Sequence, residues 1–459
     1  MILTKSKNYN INYLAKVVNI KSFTKHPDPE VTKLKVAHVD GYNIIVGIDE
    51  QPGLFIYFPM MSEINPHILE YCNLYEKPEL NKDNSKKGFF GSKGKVKGIK
   101  LRGLVSEGFL LPATSLINFC VDSFQKELEL TPNTEFDSIE DNGKTMWVNR
   151  KYTTSQDIKS VNRKENKLNS KVKRFDRLRE DQFRYHYETA IIKKIPNALN
   201  PNDIVHISSK WHGTSGITAK VLCHKKLSWK EKIAKWLTGY SFDVYDIVYS
   251  SRKVIKNRYY NPKVNSGFYN SNPWYYATEE LKPFLVNGMT IYYEIVGYLP
   301  DGKFIQKGYD YGCTPSTSQY KLGEQFKIYV YRITMTNVDG VVSEFTPLQV
   351  ISWCNNTGLL GINTLYYGYV RDLYGYPTKE EEESEDFNYS NWIIDKMAND
   401  SRFYMEQNSP DCNNKVPHEG IVIKKEGSWS SAFKLKCWVF LNKESKDLDK
   451  GETNIEDNQ

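Results

Sequence analysis

Hydrophobic positions along this chain follow period two in two separate regions, with a polar stretch between them. Between residues 11 and 115 the apolar residues come in short alternating runs, at 11–20, at 31–39 (VTKLKVAHV), at 42–48 and at 54–58. Pro27-Asp28-Pro29, Asp40-Gly41 and Pro52-Gly53 punctuate these runs as turns. Short strands joined by tight turns predict an OB-type β-barrel, bounded at 1–120. Residues 121–181 are polar and lysine-rich without apolar periodicity, which predicts a basic linker or insertion. From 182 to 445 the pattern changes again. The runs IVHIS, ITAKVL, TIYYEIVGYL, FKIYVYRITM, GIVIKK and AFKLKCWVFL alternate with helical stretches at 227–238 and 390–407. That alternation predicts one larger α+β domain. KEEEESED at 379–386 reads as an acidic surface loop, and 446–459 as a polar tail that frays.

Composition removes whole classes of protein. The 459 residues include 32 Tyr, 21 Phe and 9 Trp, more apolar area than a disordered chain carries. No run of about 18 apolar residues occurs, and MILTKSKNYN at the start lacks the apolar block of a secretion signal. A cytoplasmic protein with no membrane partner is the expectation. The cysteines are scattered with no CxxC pair, and the histidines do not cluster with them at ligand spacing, which argues for a reducing compartment and against zinc.

The net charge of +7 matters less than where it lies. Eight basic residues face one acid between Lys82 and Arg102, and eleven face three between Arg150 and Arg179. Such blocks suit a polyanion, although a solvated loop gives the same pattern. Within the first block, GFFGSKGKVKGIKLRG at 88–103 predicts a hairpin. Its Lys93, Lys95, Lys97, Lys100 and Arg102 would form a nucleic-acid-binding face, with Phe89 and Phe90 either stacking on bases or entering the core.

The usual nucleotide and hydrolase signatures are missing: GxxxxGK[ST], GxGxxG after a strand, HExxH and GxSxG do not occur. What remains is Lys210-Trp211-His212-Gly213-Thr214-Ser215. A lysine at a strand end, followed by a glycine that permits close approach to the backbone, presents an amine to a phosphate. Such a tetrad alone arises by chance, so its weight depends on the order of the downstream segments. KWHGTS resembles motif I of the covalent nucleotidyltransferases, the superfamily of polynucleotide ligases and capping enzymes, in the form seen in RNA ligases. YSSRKVIKN (249–257) resembles the next family segment, with Arg252. YYEIVGY (292–298) resembles motif III, with Glu294, and YVYRIT (329–334) resembles motif IIIa, with Tyr331 as its aromatic. HEGIVIKK (418–425) resembles motif IV, with Glu419, and AFKLKCW (432–438) resembles motif V, with Lys434 and Lys436. Upstream, residues 11–115 and QFRYHYET (182–189) are similar to the Deinococcus-type RNA ligases, which carry an N-terminal OB module.

The resemblance implies an α+β fold: an OB-type β-barrel followed by a nucleotidyltransferase domain of ATP-grasp-like antiparallel sheets with helices. It implies an ATP-dependent RNA ligase with Mg²⁺ or Mn²⁺ as metal, RNA as partner and a monomeric state. Lys210 would attack the α-phosphate of ATP to form a lysyl–AMP, and the strand register of Lys434 and Lys436 would let both reach one phosphate. Ser209, Trp211, Gly213, Arg252, Glu294 and Tyr331 would line the nucleotide site, with Glu294 on the ribose and Tyr331 on adenine. Glu419 would hold the metal. Two positions depart from the family pattern: Ser209 precedes the lysine where an acid is common, and Arg332 follows Tyr331 where Asp is usual. The rival readings are an inactive RNA-binding protein of the same fold and a GTP-dependent capping-type enzyme. The short stretch after Lys436 leaves no space for the trailing OB domain that capping enzymes and DNA ligases carry.

Overall fold

The computed structural model describes residues 1–153, 175–239, 242–259, 269, 271–315, 319–383, 387–426 and 432–450. Lys159, Arg163, Lys164, Lys167, Lys171, Lys173 and Arg174 of the second basic block lie outside the described residues, as do 384–386 of the acidic loop and 451–459 of the tail. The chain divides into two compact units. The first is Met1–Thr153 with Ala190–Ala198 and Glu380–Asp395; the second is Thr154–Thr189 with Leu199–Lys379 and Lys396–Gln459.

In the first unit an antiparallel sheet runs in the order Gly108–Pro112, Gly53–Pro59, Ala15–Ile20, Glu135–Phe136. Alternate residues of its central strands feed two different cores. Ala15, Val17, Ile56 and Phe58 join one, whereas Val18, Ile20, Phe55 and Tyr57 join the other. The sheet is therefore covered on both faces, with the helix Ala113–Phe124 contributing Leu116, Phe119 and Cys120 to the first core. The expected OB-type β-barrel is not shown: among the described residues the strand order of this sheet does not close on itself.

The expected linker at 121–181 is also corrected over its first half. The strands Ser138–Asp141 and Lys144–Trp147 form a hairpin, and Asn149–Lys151 pairs with Ser62–Ile64. Leu128, Phe136, Ile139 and Val148 enter the core. The hairpin turns at Asn142 and Gly143, both with positive φ (49° and 80°), as the tight two-residue turn requires. Its strands are too short for a periodic signal, but the Asn-Gly pair was a legible hairpin cue.

The second unit carries two antiparallel sheets. The larger runs in the order Ile255–Lys256, Asp243–Ser251, Thr214–His224, Met289–Gly297, Phe326–Thr336, Val342–Glu344, with Leu360–Gly361 parallel to Phe326–Thr336. One face, through Ile291, Tyr293, Ile295 and Val330, packs on the helices Pro273–Leu281 and Pro347–Thr357. The other, through Ile217, Ala219, Val221 and Tyr292, packs on Phe183 and its neighbours. In the smaller sheet the strands of this unit lie in the order Ala432–Lys436, Gly420–Lys425, Ile204–Ser209, Thr364–Tyr369. The architecture is thus α+β with antiparallel sheets. The tail expected to fray is helical up to Asp449, because Phe440, Ser445 and Leu448 bury one side of the helix Trp438–Asp449.

Candidate active site

Lys210 sits where the chain leaves the smaller sheet, after Ile204–Ser209, and enters the larger one at Thr214. Strand register fixes its surroundings. Ser209 pairs with Ile421, and the Lys210 N–H donates to the Gly420 carbonyl at 2.8 Å. Gly420 in turn pairs with Lys436. Three neighbouring strands therefore bring Lys210, Glu419 and Lys436 together. Glu419 Oε1 lies 2.8 Å from Lys210 Nζ and 3.2 Å from Lys436 Nζ, and Glu419 Oε2 lies 3.7 Å from His212 Nδ1. The Glu419 side chain is fully buried, whereas that of Lys210 keeps 20% of its surface exposed. A carboxylate held out of water between two ammonium groups is a strongly coupled charge cluster rather than a surface pair.

Lys434 shares a strand face with Lys436 but reaches a different carboxylate. Its Nζ lies 3.2 Å from Glu188 Oε1, and Arg252 pairs with Glu188 Oε2. Burial raises the Glu188 pKa, yet Lys434 and Arg252 outweigh it and hold the carboxyl below its ordinary value. The Gly213 N–H donates to Glu294 Oε1 at 3.1 Å, and its carbonyl accepts from Gln306 Nε2 at 2.7 Å. A Cβ on Gly213 would stand 2.3 Å from the Ile295 carbonyl oxygen, so this close approach excludes any larger residue.

Tyr331 stands at a β-bulge, on the same sheet face as Ser215 and Glu294. The pairing of Met289–Gly297 with Phe326–Thr336 steps from Tyr292–Arg332 to Tyr293–Val330, which leaves Tyr331 as the extra residue. Its hydroxyl lies 3.0 Å from Ser215 Oγ and its ring 5.2 Å from that of His186. Burial, followed by the Glu294 carboxylate, pushes the Tyr331 hydroxyl far above its ordinary pKa. Tyr329 instead stacks on Trp211, with ring centres 4.3 Å apart and 15° between planes. Arg332, which follows Tyr331 where the family pattern has Asp, is buried and pairs with Glu344 at 3.1 Å. Ser209 is also buried, and Asn363 engages both its N–H and its hydroxyl.

The structure brings Lys210, His212, Lys436 and Glu419 into one cluster, and Lys434 and Arg252 into a second around Glu188. Sequence reasoning did not single out Glu188, Gln306, Asn363 or Glu344. Glu188 lies within QFRYHYET, so a signal was present. The others are distant in sequence and meet the site only through folding. Among the described residues no three or more His, Cys, Asp or Glu side chains group as a metal site. Glu419 is a single carboxylate whose oxygens face cations, so a divalent ion fits only where nucleotide phosphates supply further oxygens.

The basic stretch of the first unit separates on folding. Lys93, Lys97, Lys100 and Arg102 are exposed, but Lys95 is buried and corrects the expected face. Residues 93–97 are not a regular strand, so spacing two does not keep them on one side. Lys95 bridges Glu63 through its backbone and places Nζ 5.1 Å from the Tyr152 ring, while Val96 enters the core. Arg102 pairs with Glu30 at 2.9 Å and Asp28 at 3.7 Å. Phe89 is 65% exposed and Phe90 only 3%, which divides the two aromatics between surface and core.

No family model and no curated protein matches the chain. Solved structures do. A lysine-to-alanine variant of Naegleria gruberi RNA ligase with ATP and Mn is similar at a TM-score of 0.52 and 13% identity, over 95% of this chain and 99% of that one. Naegleria gruberi RNA ligase with PPi is similar at 0.51 and 12%, over 95% and 100%. A second lysine-to-alanine variant with ATP and Mn is similar at 0.51 and 14%, over 94% and 98%. This chain therefore shares its fold, along nearly its whole length, with those RNA ligases.

Proposed function

We propose that the protein is an ATP-dependent RNA ligase that works through a lysyl–AMP on Lys210. The observation that carries the reading is the Lys210–Glu419–Lys436 cluster at the crossing between two sheets, with Lys434 and Arg252 beside it on Glu188. The order of the motifs and the fold shared with RNA ligases solved with ATP and Mn, or with PPi, support it.

In this reading Lys210 Nζ attacks the α-phosphorus of ATP. An N–P bond forms, the P–O bond to pyrophosphate breaks, and the ammonium proton must leave before attack. Glu419 at 2.8 Å favours the charged amine, and neighbouring Lys436 disfavours it. Whatever draws Glu419 away from Lys210 therefore frees the nucleophile. Lys434, Lys436 and Arg252 exchange their carboxylate partners for phosphate oxygens and stabilise the charge that builds there. Glu294 accepts from the ribose hydroxyls, Gly213 lets the sugar approach the backbone, and Tyr331 and Trp211 flank the base. Mg²⁺ or Mn²⁺, held by Glu419 together with the nucleotide, would neutralise phosphate charge. The AMP then passes to an RNA 5′-phosphate, and a 3′-hydroxyl displaces it to form the phosphodiester. We infer further that the first unit grips the RNA backbone through the exposed Lys93, Lys97 and Lys100.

The test is incubation with α-labelled ATP and Mn²⁺, then denaturing electrophoresis. We expect a label stable to denaturation in the wild type and none in Lys210→Ala. Absence of covalent label from the wild type with either metal would refute the reading.

A further inference from the structure

The strands Thr214–His224 and Asp243–Ser251 pair out to His224 and Asp243, and their connection carries the helix Trp229–Thr238. This helix is specified locally. Ser228 and Glu231 form a reciprocal capping box, and Gly239 closes the end in the left-handed conformation. Its apolar side chains are not used in packing. Trp229, Ile233, Trp236 and Leu237 are 68%, 49%, 82% and 68% exposed, and no residue of the helix is buried.

At 100° per residue, those four side chains fall within one arc of about 100°. Lys230 and Lys232 stand at its two borders, while Glu231, Lys235 and Thr238 take the opposite side. Between Lys225 and Lys235 five lysines face one acid, Glu231, which pairs with Lys225. We propose that this helix lies flat on an anionic lipid surface, with Trp229, Ile233, Trp236 and Leu237 in the acyl boundary and the lysines among the headgroups.

Charge complementarity and the shape of the stripe select that occupant. A second copy would bring two lysine borders of equal sign together. RNA would use the lysines and the tryptophans but gains nothing from Ile233 and Leu237, which complete the stripe. No helix among the described residues is long and apolar enough to cross a membrane. The expectation of no membrane partner came from the lack of a spanning stretch, which bears on crossing and not on surface contact.

The experiment is co-sedimentation of the full chain with phosphatidylcholine vesicles, with or without phosphatidylserine. We expect binding only to the anionic vesicles. The double variant Trp229→Ser/Trp236→Ser should bind at least tenfold more weakly, and Lys230→Ala/Lys232→Ala should lose about fivefold per lysine. Both variants change exposed side chains, and unchanged thermal melting confirms that they fold. Failure of the wild type to bind anionic vesicles overturns the proposal, as does binding unaffected by either variant. Two other outcomes also overturn it when vesicle binding is absent: a wild-type dimer that the tryptophan variant dissolves, or RNA affinity that falls in that variant.

Discussion

The Lys210–Glu419–Lys436 cluster and the Lys93–Arg102 stretch both hold basic residues that the sequence singles out, and folding treats them in opposite ways. Lys210 and Lys436 are fixed by the register of three adjacent strands, so each reaches the same buried carboxylate. Lys93, Lys95 and Lys97 have the same period-two spacing as Lys434 and Lys436, but no ladder holds them. One of the three turns into the protein while its neighbours stay in water. Spacing predicts a shared face only where a sheet enforces it.

The largest effect should come from breaking the cluster at its centre. Glu419→Gln keeps the shape but removes the carboxylate that would hold the divalent ion on the nucleotide, and this loss should outweigh the freeing of Lys210 and lower the rate of self-labelling by about a hundredfold, measured by single-turnover labelling. Equal rates in variant and wild type would show that the carboxylate is only structural. Gly213→Ala tests the packing beneath the cluster. Its Cβ meets the Ile295 carbonyl oxygen at 2.3 Å, so the strands must part at a cost of about 1–3 kcal/mol, read as a drop of roughly 2–5 °C in Tm.

The strand that leads to Lys210 adds a pH dependence. Burial, helped by Lys424, lowers His206 from its ordinary 6.5 to about 4. The folded state therefore holds this imidazole neutral. Its contribution is fully present above about pH 6.5 and is lost as pH falls toward 4, on the order of 3 kcal/mol in total. Urea titrations across that range should show the decline, and His206→Gln should flatten it. The smallest effect belongs to the loop. Lys93→Ala/Lys100→Ala should reduce the salt slope of RNA binding by about two. Lys95→Ala should leave that slope alone and lower stability instead, because its side chain is packed against Tyr152.

Much of the second unit was legible because each motif lies at the edge of an apolar run, and each run contributes a strand to one of the two sheets, the last passing into the helix Trp438–Asp449. The helix at 227–238 was equally readable, since its capping box and its glycine stop are local. The region 121–151 was not, because its core residues lie in or between strands of only two to four residues, which give no period. The partners of Tyr331 and Tyr329 were hidden for another reason: both stand on the face that carries Ser215 and Glu294, yet one reaches Ser215 and the other stacks on Trp211, which only the fold brings there.

Which residues could do the chemistry, and in what order they occur along the chain, was set by the sequence, because strand alternation and capping are local properties. The pairings were set by folding: Glu419 between two lysines, Glu188 between Lys434 and Arg252, Arg332 on Glu344, and Lys95 turned away from solvent. Those depend on contacts that the chain makes only once folded, and on which charges the core can bury only in company.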